Sequence, residues 1–564
     1  MIHALYAEST FDFKGLRFSA EVNSDLSTYY VSKDGWTKVK GYNGADFIYK
    51  ANAIIDQITG EKIRGRLEFW ISFEKNWSLS DRQGYLSFDV RAHIPENIRS
   101  IKITLSGLPH GELMTVRSFE NLTVKGSKAN CSTMGAQICV LKVDSKWLEI
   151  GSREFPVPYW IANFNTGEKD TQLILNCNLQ RSHERKWFNT NAFHFEWYST
   201  LDELADFHRK EVIELKQNLV QFNQRPDVAD WVKNIRLWVI LSGRAWKISE
   251  PDSNGSFMRH NYSQMTQRLK ELAKYFDPQK TAVYVTGWDS FYDCTTPRYD
   301  IDPEMGGEEK WKEFIQTARK LGFHIILHFD PWVVSVSEPE YWDVLDGSWF
   351  SYNPRFGHGS YEQMHTTNFT SLDYKPWMNI FLERVERAIT KYGADGIHMD
   401  QTHHVYYLGW SDTPKYDNRR GFYRAMHSIK KKFPQVLLQF ELPNEASLAL
   451  TQIGENPTAH TGWQVPDDKG ELPILFKKLY FPYIRIVAHL NTSGPHGESG
   501  CVFRAVSQEV ADDRLEYMIR NDFIPTIKLA DSKNDLASPK AQQYFEAAKR
   551  YDERIETGEL DFKF

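Results

Sequence analysis

Four apolar runs in the second half of the chain each stop at a carboxylate: Gly287-Trp288-Asp289, His328-Phe329-Asp330-Pro331-Trp332, His398-Met399-Asp400-Gln401 and Phe440-Glu441-Leu442-Pro443-Asn444-Glu445. One Asp or Glu at such a position commonly caps a helix or joins an ion pair. Four of them, flanked by Trp and His, form a set that can do acid/base chemistry. Two carboxyl groups can bracket a glycosidic bond, one attacking carbon or activating water and the other protonating the leaving oxygen, when their surroundings split their pKa values. Asp400, beside His398 and Gln401, suits the ionised nucleophile. Glu441, followed by Leu442 and Pro443, is expected in drier surroundings that raise the pKa of an acid/base. Glu445 is the reserve for that role, its plainer reading being a first-turn acid of a helix through Ala446 to Leu450.

The neighbours of these carboxylates have two readings each. Trp288 and Trp332 offer flat faces on which a sugar ring could stack, or simply wall a barrel rim. Asp289, His328 and Asp330 could read sugar hydroxyls, or tie loops together. His403 and His404 belong to the loop after Asp400, and either could reach substrate.

A metal-dependent hydrolase is the rival enzyme, because His328-x-Asp330 and His398-x-Asp400 with His403 and His404 supply enough ligands for a catalytic zinc. Against it, the first run, Ile235-Arg-Leu-Trp-Val-Ile-Leu-Ser242, ends without the His-x-His that barrel metallohydrolases carry there. No metal and no cofactor is therefore expected. A non-catalytic carbohydrate-binding protein, with the first half of the chain as its working module, is the third reading.

Elements able to align such residues are visible in the periodicity. The runs Ile235 to Leu241, Thr281 to Gly287, Phe323 to Phe329, Gly396 to Asp400 and Val436 to Phe440 alternate with helical patterns. Trp311, Phe314, Ile315, Ala318 and Leu321 share one helical face, as do Trp377, Phe381, Val385, Ala388, Ile389 and Tyr392. Strand-helix repetition over this length predicts a parallel (β/α)8 barrel of TIM type, with chemistry at the C-terminal ends of its strands. No G-x-G-x-x-G follows the first strand, as an open dinucleotide-binding sheet would prefer. Tyr483 to Leu490, Cys501 to Val506 and Ile524 to Leu529 are the candidates for strands six to eight. Asp400 and Glu441 then end neighbouring strands about 4.8 Å apart, close enough for the roughly 5 to 5.5 Å carboxyl separation of a retaining glycosidase.

Before Leu201 the pattern alternates instead, as in Arg66-Leu-Glu-Phe-Trp-Ile-Ser-Phe, Tyr85-Leu-Ser-Phe-Asp-Val and Ile101-Lys-Ile-Thr-Leu. This predicts antiparallel strands of a β-sandwich. Leu201 to Val220 reads as a helical connector. The expected organisation is thus a β-sandwich domain with its connector over residues 1–215, followed by a (β/α)8 barrel over 216–564.

Gly393-Ala-Asp-Gly-Ile-His-Met-Asp-Gln401 after a long amphipathic helix resembles the fourth-strand motif of (β/α)8 retaining α-glycosidases. Gly287-Trp-Asp-Ser, followed by Asp302-Pro-Glu-Met-Gly-Gly307, resembles their second-strand loop. The pattern spans roughly Ile235 to Glu445 and is similar to the α-N-acetylgalactosaminidase-like and α-galactosidase-like groups, which also carry an N-terminal β-sandwich. The first group implies an Asp nucleophile after strand four and a Glu acid/base after strand five, matching Asp400 and Glu441. The second implies an acid/base Asp after strand six, whereas Tyr483 to Leu490 runs into Asn491-Thr-Ser-Gly with no Asp.

Composition narrows the partners. The 564 residues carry 68 Lys and Arg against 74 Asp and Glu, a net charge of −6, with no basic run beyond Lys430-Lys431-Lys432; nucleic acid is not an expected partner. No apolar run approaches membrane-spanning length, so a membrane is not expected either. Aromatic residues make up 14% of the chain, which favours an oligosaccharide or glycoside as the partner. Five cysteines, odd in number and without C-x-x-C, suggest neither a disulfide framework nor a zinc site. The first residues lack a basic stretch followed by an apolar one, so the chain as given reads as cytoplasmic, or as secreted if a leader was removed.

Overall fold

The computed structural model describes elements from Phe11 onward and side chains over residues 108–562, with breaks of which the longest are 176–193, 245–257, 345–369, 406–415, 456–471 and 489–514. His403, His404 and the candidate strand Cys501 to Val506 lie outside the described residues.

Together with three small ones of two or three strands, two large antiparallel sheets occupy the first part of the chain. One runs Phe11–Phe13, Leu16–Asn23, Ser100–Leu108, Thr171–Asn178, Trp160–Thr166 and Lys128–Ser132 in spatial order, with Ile48–Lys50 beside the second of these. The other runs Phe119–Leu122, Gly111–Met114, Ile138–Val143, Lys146–Ser152, Phe193–Tyr198 and Tyr85–Phe88. Cys131 of the first and Cys139 of the second bring their sulfurs to 2.8 Å. No spacing rule on the sequence pairs these two, because they belong to different sheets.

Helix α1 (Leu201–His208) starts where the sequence period changes. The Thr200 hydroxyl accepts the backbone N–H of Glu203 at 3.1 Å and so caps it. Helical turns continue to Gln217 and stop at Asn218, whose φ of 51° is left-handed.

Eight parallel strands follow: β1 (Leu237–Ser242), β2 (Thr281–Thr286), β3 (His324–Phe329), β4 (Gly396–Met399), β5 (Leu437–Phe440), β6 (Ile453–Glu455), β7 (Arg485–Val487) and β8 (Thr526–Leu529). Their spatial order, β7-β6-β5-β4-β3-β2-β1-β8, follows the chain, and the parallel bridge Val487 to Ile524 joins its two ends into a barrel. All six residues of β1 and of β2 are buried. That is why these strands read as continuous apolar runs and not as alternating ones: both faces of a parallel sheet are covered.

Helices α2 (Tyr262–Leu272), α3 (Gly307–Leu321) and α4 (Lys375–Thr390) cover the outside. α3 buries Trp311, Phe314, Ile315 and Ala318, and α4 buries Trp377, Phe381, Val385 and Ala388, the faces that the 3.6-residue period marked.

Strands six and seven depart from expectation, whereas strand eight falls in the expected run. Strand six is Ile453–Glu455, one short turn beyond Glu445, so the run beginning at Tyr483 supplies strand seven and Ile524 to Leu529 supplies strand eight. A three-residue strand carries too little periodicity to register in a sequence window.

Candidate active site

The ends of β4 and β5 meet at one backbone amide. The Gln401 N–H donates to Asp400 Oδ1 at 2.8 Å and to Glu441 Oε2 at 2.6 Å. Those two oxygens therefore lie no farther apart than the two distances laid end to end. Register explains the meeting: Met399 pairs with Phe440, and the Glu441 N–H donates to the Met399 carbonyl at 3.0 Å. Gln401 holds this geometry with a φ of 52°, a left-handed conformation costly for a residue with a Cβ. Its side chain is pinned as well, with Nε2 donating to Asp330 Oδ2 at 3.0 Å. The Thr402 hydroxyl donates to the Glu441 carbonyl and fixes the other side of the pair.

Beneath the pair, the barrel interior is polar and aromatic. Tyr284 and His328 are joined by a 2.7 Å hydrogen bond at Nδ1, and His328 Nε2 stands 3.8 Å from Asp400 Oδ2. The His328 and His398 rings stack at 5.2 Å, and Tyr284 lies 4.4 Å from His398. His398 Nδ1 meets Gln439 Oε1 and stands 3.9 Å from Glu455 Oε2. His328, His398, Asp400 and Glu441 are thus gathered into one buried cluster with Gln401.

Other expected residues have different surroundings. Trp288 is fully buried, ringed by Tyr299, Trp311, Phe329 and Tyr392, and its Nε1 donates to the His328 carbonyl at 3.0 Å. Trp332 is equally buried and stacks on Phe422 at 5.5 Å. Protein rings occupy the faces that sugar stacking needs, and an aromatic side chain at a strand end gives no sequence signal separating rim from core. Asp330 is buried too: Oδ1 accepts the N–H groups of Trp332 and Val333 at 2.8 and 3.3 Å, and Oδ2 the Gln401 amide. It organises the loop after β3. Asp289 is buried at the start of the loop after β2 and forms an antiparallel bridge with Ile301. Gly287 before it has a φ of 56°, and a Cβ there would stand 2.2 Å from the Arg244 carbonyl oxygen, so only glycine lets the β1 and β2 loops approach.

Glu445 turns the opposite way, to the junction with the antiparallel sheets. Its Oε1 accepts a 2.7 Å hydrogen bond from His208 Nε2. His208 Nδ1 in turn stands 3.7 Å from Glu149 Oε1, in the strand Lys146–Ser152, where Arg153 also pairs. Burial by itself would lower the His208 pKa, but the facing carboxylates of Glu445 and Glu149 outweigh it and hold it at about 9. For Glu149, burial is likewise outweighed, by hydrogen bonds and charge from His208 and Arg153, and its pKa falls to about 2.

Sequence reading missed Tyr284, Gln439 and Glu455 in this cluster. The first two lie inside strands among apolar residues, where a period-2 pattern is hidden by burial on both faces. Glu455 ends a strand too short to be seen.

Among the described residues no group of three or more His, Cys, Asp or Glu side chains is arranged to hold a metal ion. No helix among them is long and apolar enough to cross a membrane.

No family model matches the sequence, and no curated protein matches it. Solved structures do share the fold. The ligand-free α-N-acetylgalactosaminidase of Bifidobacterium bifidum superposes with a TM-score of 0.63 at 12% identity, covering 96% of this chain and 93% of that one. A sulfoquinovosidase from E. rectale, solved with an aza-sugar inhibitor, gives 0.57 at 11% identity over 99% and 84% of the two chains. An α-galactosidase of Geobacillus stearothermophilus gives 0.50 at 10% identity over 94% and 75%. The chain thus has the fold of these α-glycosidases.

Proposed function

We propose that the chain is a glycoside hydrolase that cleaves an α-glycosidic bond with retention, Asp400 acting as nucleophile and Glu441 as acid/base. The observation that carries this reading is the Gln401 N–H shared by the two carboxylates, which keeps their nearest oxygens within the roughly 5 to 5.5 Å of a retaining pair and short of the roughly 6.5 to 9.5 Å of an inverting one. The fold likeness to α-N-acetylgalactosaminidase and α-galactosidase structures supports the anomer.

In the first step an Asp400 oxygen attacks the anomeric carbon while the Glu441 proton passes to the departing oxygen, leaving a glycosyl ester and an ionised Glu441. In the second, Glu441 takes a proton from water, whose oxygen attacks the same carbon and frees Asp400. The Gln401 amide, donating to both carboxylates, stabilises whichever is charged.

We read the two antiparallel sheets as a β-sandwich that ends in the α1 connector near residue 215. The Cys131–Cys139 contact between strands of different sheets supports face-to-face packing.

A panel of aryl α-glycosides followed by NMR tests the whole reading. One member should release its aglycone, with the α-configured sugar appearing first. Initial release of the β-configured sugar, or cleavage of β-glycosides alone, overturns it.

A further inference from the structure

We propose that Glu455 is a positioning residue for the acid/base step: it faces Glu441 across adjacent strands, shares a proton with it, and so sets the pH up to which a proton is available to the leaving oxygen. The proposal rests on the reading of Glu441 given above.

Geometry brings the two carboxyls together. Phe440 pairs with Gly454, which makes Glu441 and Glu455 the next pair in register between β5 and β6. Alternate residues of a strand share a face, so Glu441 faces the same way as Gln439. Gln439 meets His398 inside the barrel, and Glu455 Oε2 stands 3.9 Å from that same His398 nitrogen. Glu455 therefore points inward beside Glu441, and it is 3% exposed.

The groups facing Glu455 are His398 from β4, Gln439 and Glu441 from β5, and Lys528 from β8; its register partner on β7 is the apolar Val487. Burial pushes the Glu455 pKa well up, and the Glu441 charge adds to it, against the weaker pull of Lys528 and the Gln439 hydrogen bond. Two carboxyls facing the same way from neighbouring register positions in a dry site cannot both ionise readily, and they titrate as a pair. A lone glutamic acid would surrender its proton near pH 4 to 5. The pair retains one proton to higher pH, and when the leaving oxygen draws it from the Glu441 side, Lys528 is the cation that faces the charge left on Glu455.

The test compares wild type, Glu455→Gln and Glu441→Gln. On a substrate with a poor leaving group, Glu455→Gln should move the basic limb of the kcat/KM profile about one pH unit lower, a roughly tenfold loss at the wild-type limb. A merely structural role would lower the rate without moving the limb. Infrared difference spectra supply a readout independent of turnover: wild type near neutral pH should show a protonated-carboxyl carbonyl band that Glu455→Gln removes or shifts. An unmoved limb in a folded variant, or no such band in wild type, overturns the proposal. Absence of any glycoside cleavage by wild type would instead overturn the assigned reaction, while the infrared arm still decides whether the pair holds a proton.

Discussion

His208 Nε2 and Glu445 Oε1 lie 2.7 Å apart, and neither side chain is exposed to solvent. The helix leaving the antiparallel sheets is thereby tied to the turn after β5. The carboxyl of Glu445 is committed to that tie, four residues from one whose carboxyl shares an amide with Asp400. Removing one member of a buried charge pair strands the other. Glu445→Gln should therefore cost about 3 kcal/mol of stability, visible as a lower melting temperature, with the leaving-group dependence of turnover unchanged. Glu441→Gln should do the reverse, slowing poor leaving groups far more than activated aryl glycosides, which depart without protonation. If Glu445→Gln showed the leaving-group dependence, the acid/base assignment would move to it.

Asp400 makes the sharpest kinetic prediction. Asp400→Ala should lower kcat by at least about 10³-fold while circular dichroism and melting stay near wild type. Azide should restore turnover of an activated aryl glycoside and yield a glycosyl azide of inverted anomeric configuration, because the small anion attacks from the face that the carboxylate left. Near-normal turnover without azide would remove Asp400 from the reaction.

The junction network gives stability a defined pH window. Folded His208 has a pKa of about 9, above its ordinary 6.5, so its contribution is complete below about pH 6.5 and is lost as the pH rises toward 9. Folded Glu149 has a pKa of about 2, below its ordinary 4.5, so its contribution is complete above about pH 4.5 and is lost as the pH falls toward 2. Chemical denaturation should show a plateau between these limits, with each flank worth on the order of 3 kcal/mol. In His208→Gln the alkaline flank should flatten; an unchanged flank would show that another group controls it.

Trp288 separates core from substrate platform. Trp288→Phe removes the donor to the His328 carbonyl and leaves a small void, at a cost of about 1 to 3 kcal/mol. Its KM should stay within about twofold of wild type, since its ring is enclosed by Tyr299, Trp311, Phe329 and Tyr392. A KM increase of tenfold or more at unchanged stability would return the residue to the sugar site.

What the sequence determined by itself was everything written in a local period. Five apolar runs marked β1 to β5 within a residue or two of their ends, the 3.6-residue faces of α3 and α4 marked which side of each is buried, and the change of period marked Leu201 as the start of α1. Each follows from neighbours in the chain, because burial repeats with the backbone's own geometry. Tertiary structure alone decided the rest. Whether Glu441 or Glu445 turns toward Asp400 depends on where His208 stands, some 230 positions earlier, and on an amide held at a left-handed φ. Whether Trp288 and Trp332 are walls or platforms depends on the rings that pack against them from other helices and loops. Glu455 became part of the cluster because a three-residue strand, too brief to carry a period, pairs beside β5 and turns its last carboxyl inward. Charges and rings take their roles from what the closed barrel sets opposite them, and that distance is not encoded in any local run of residues.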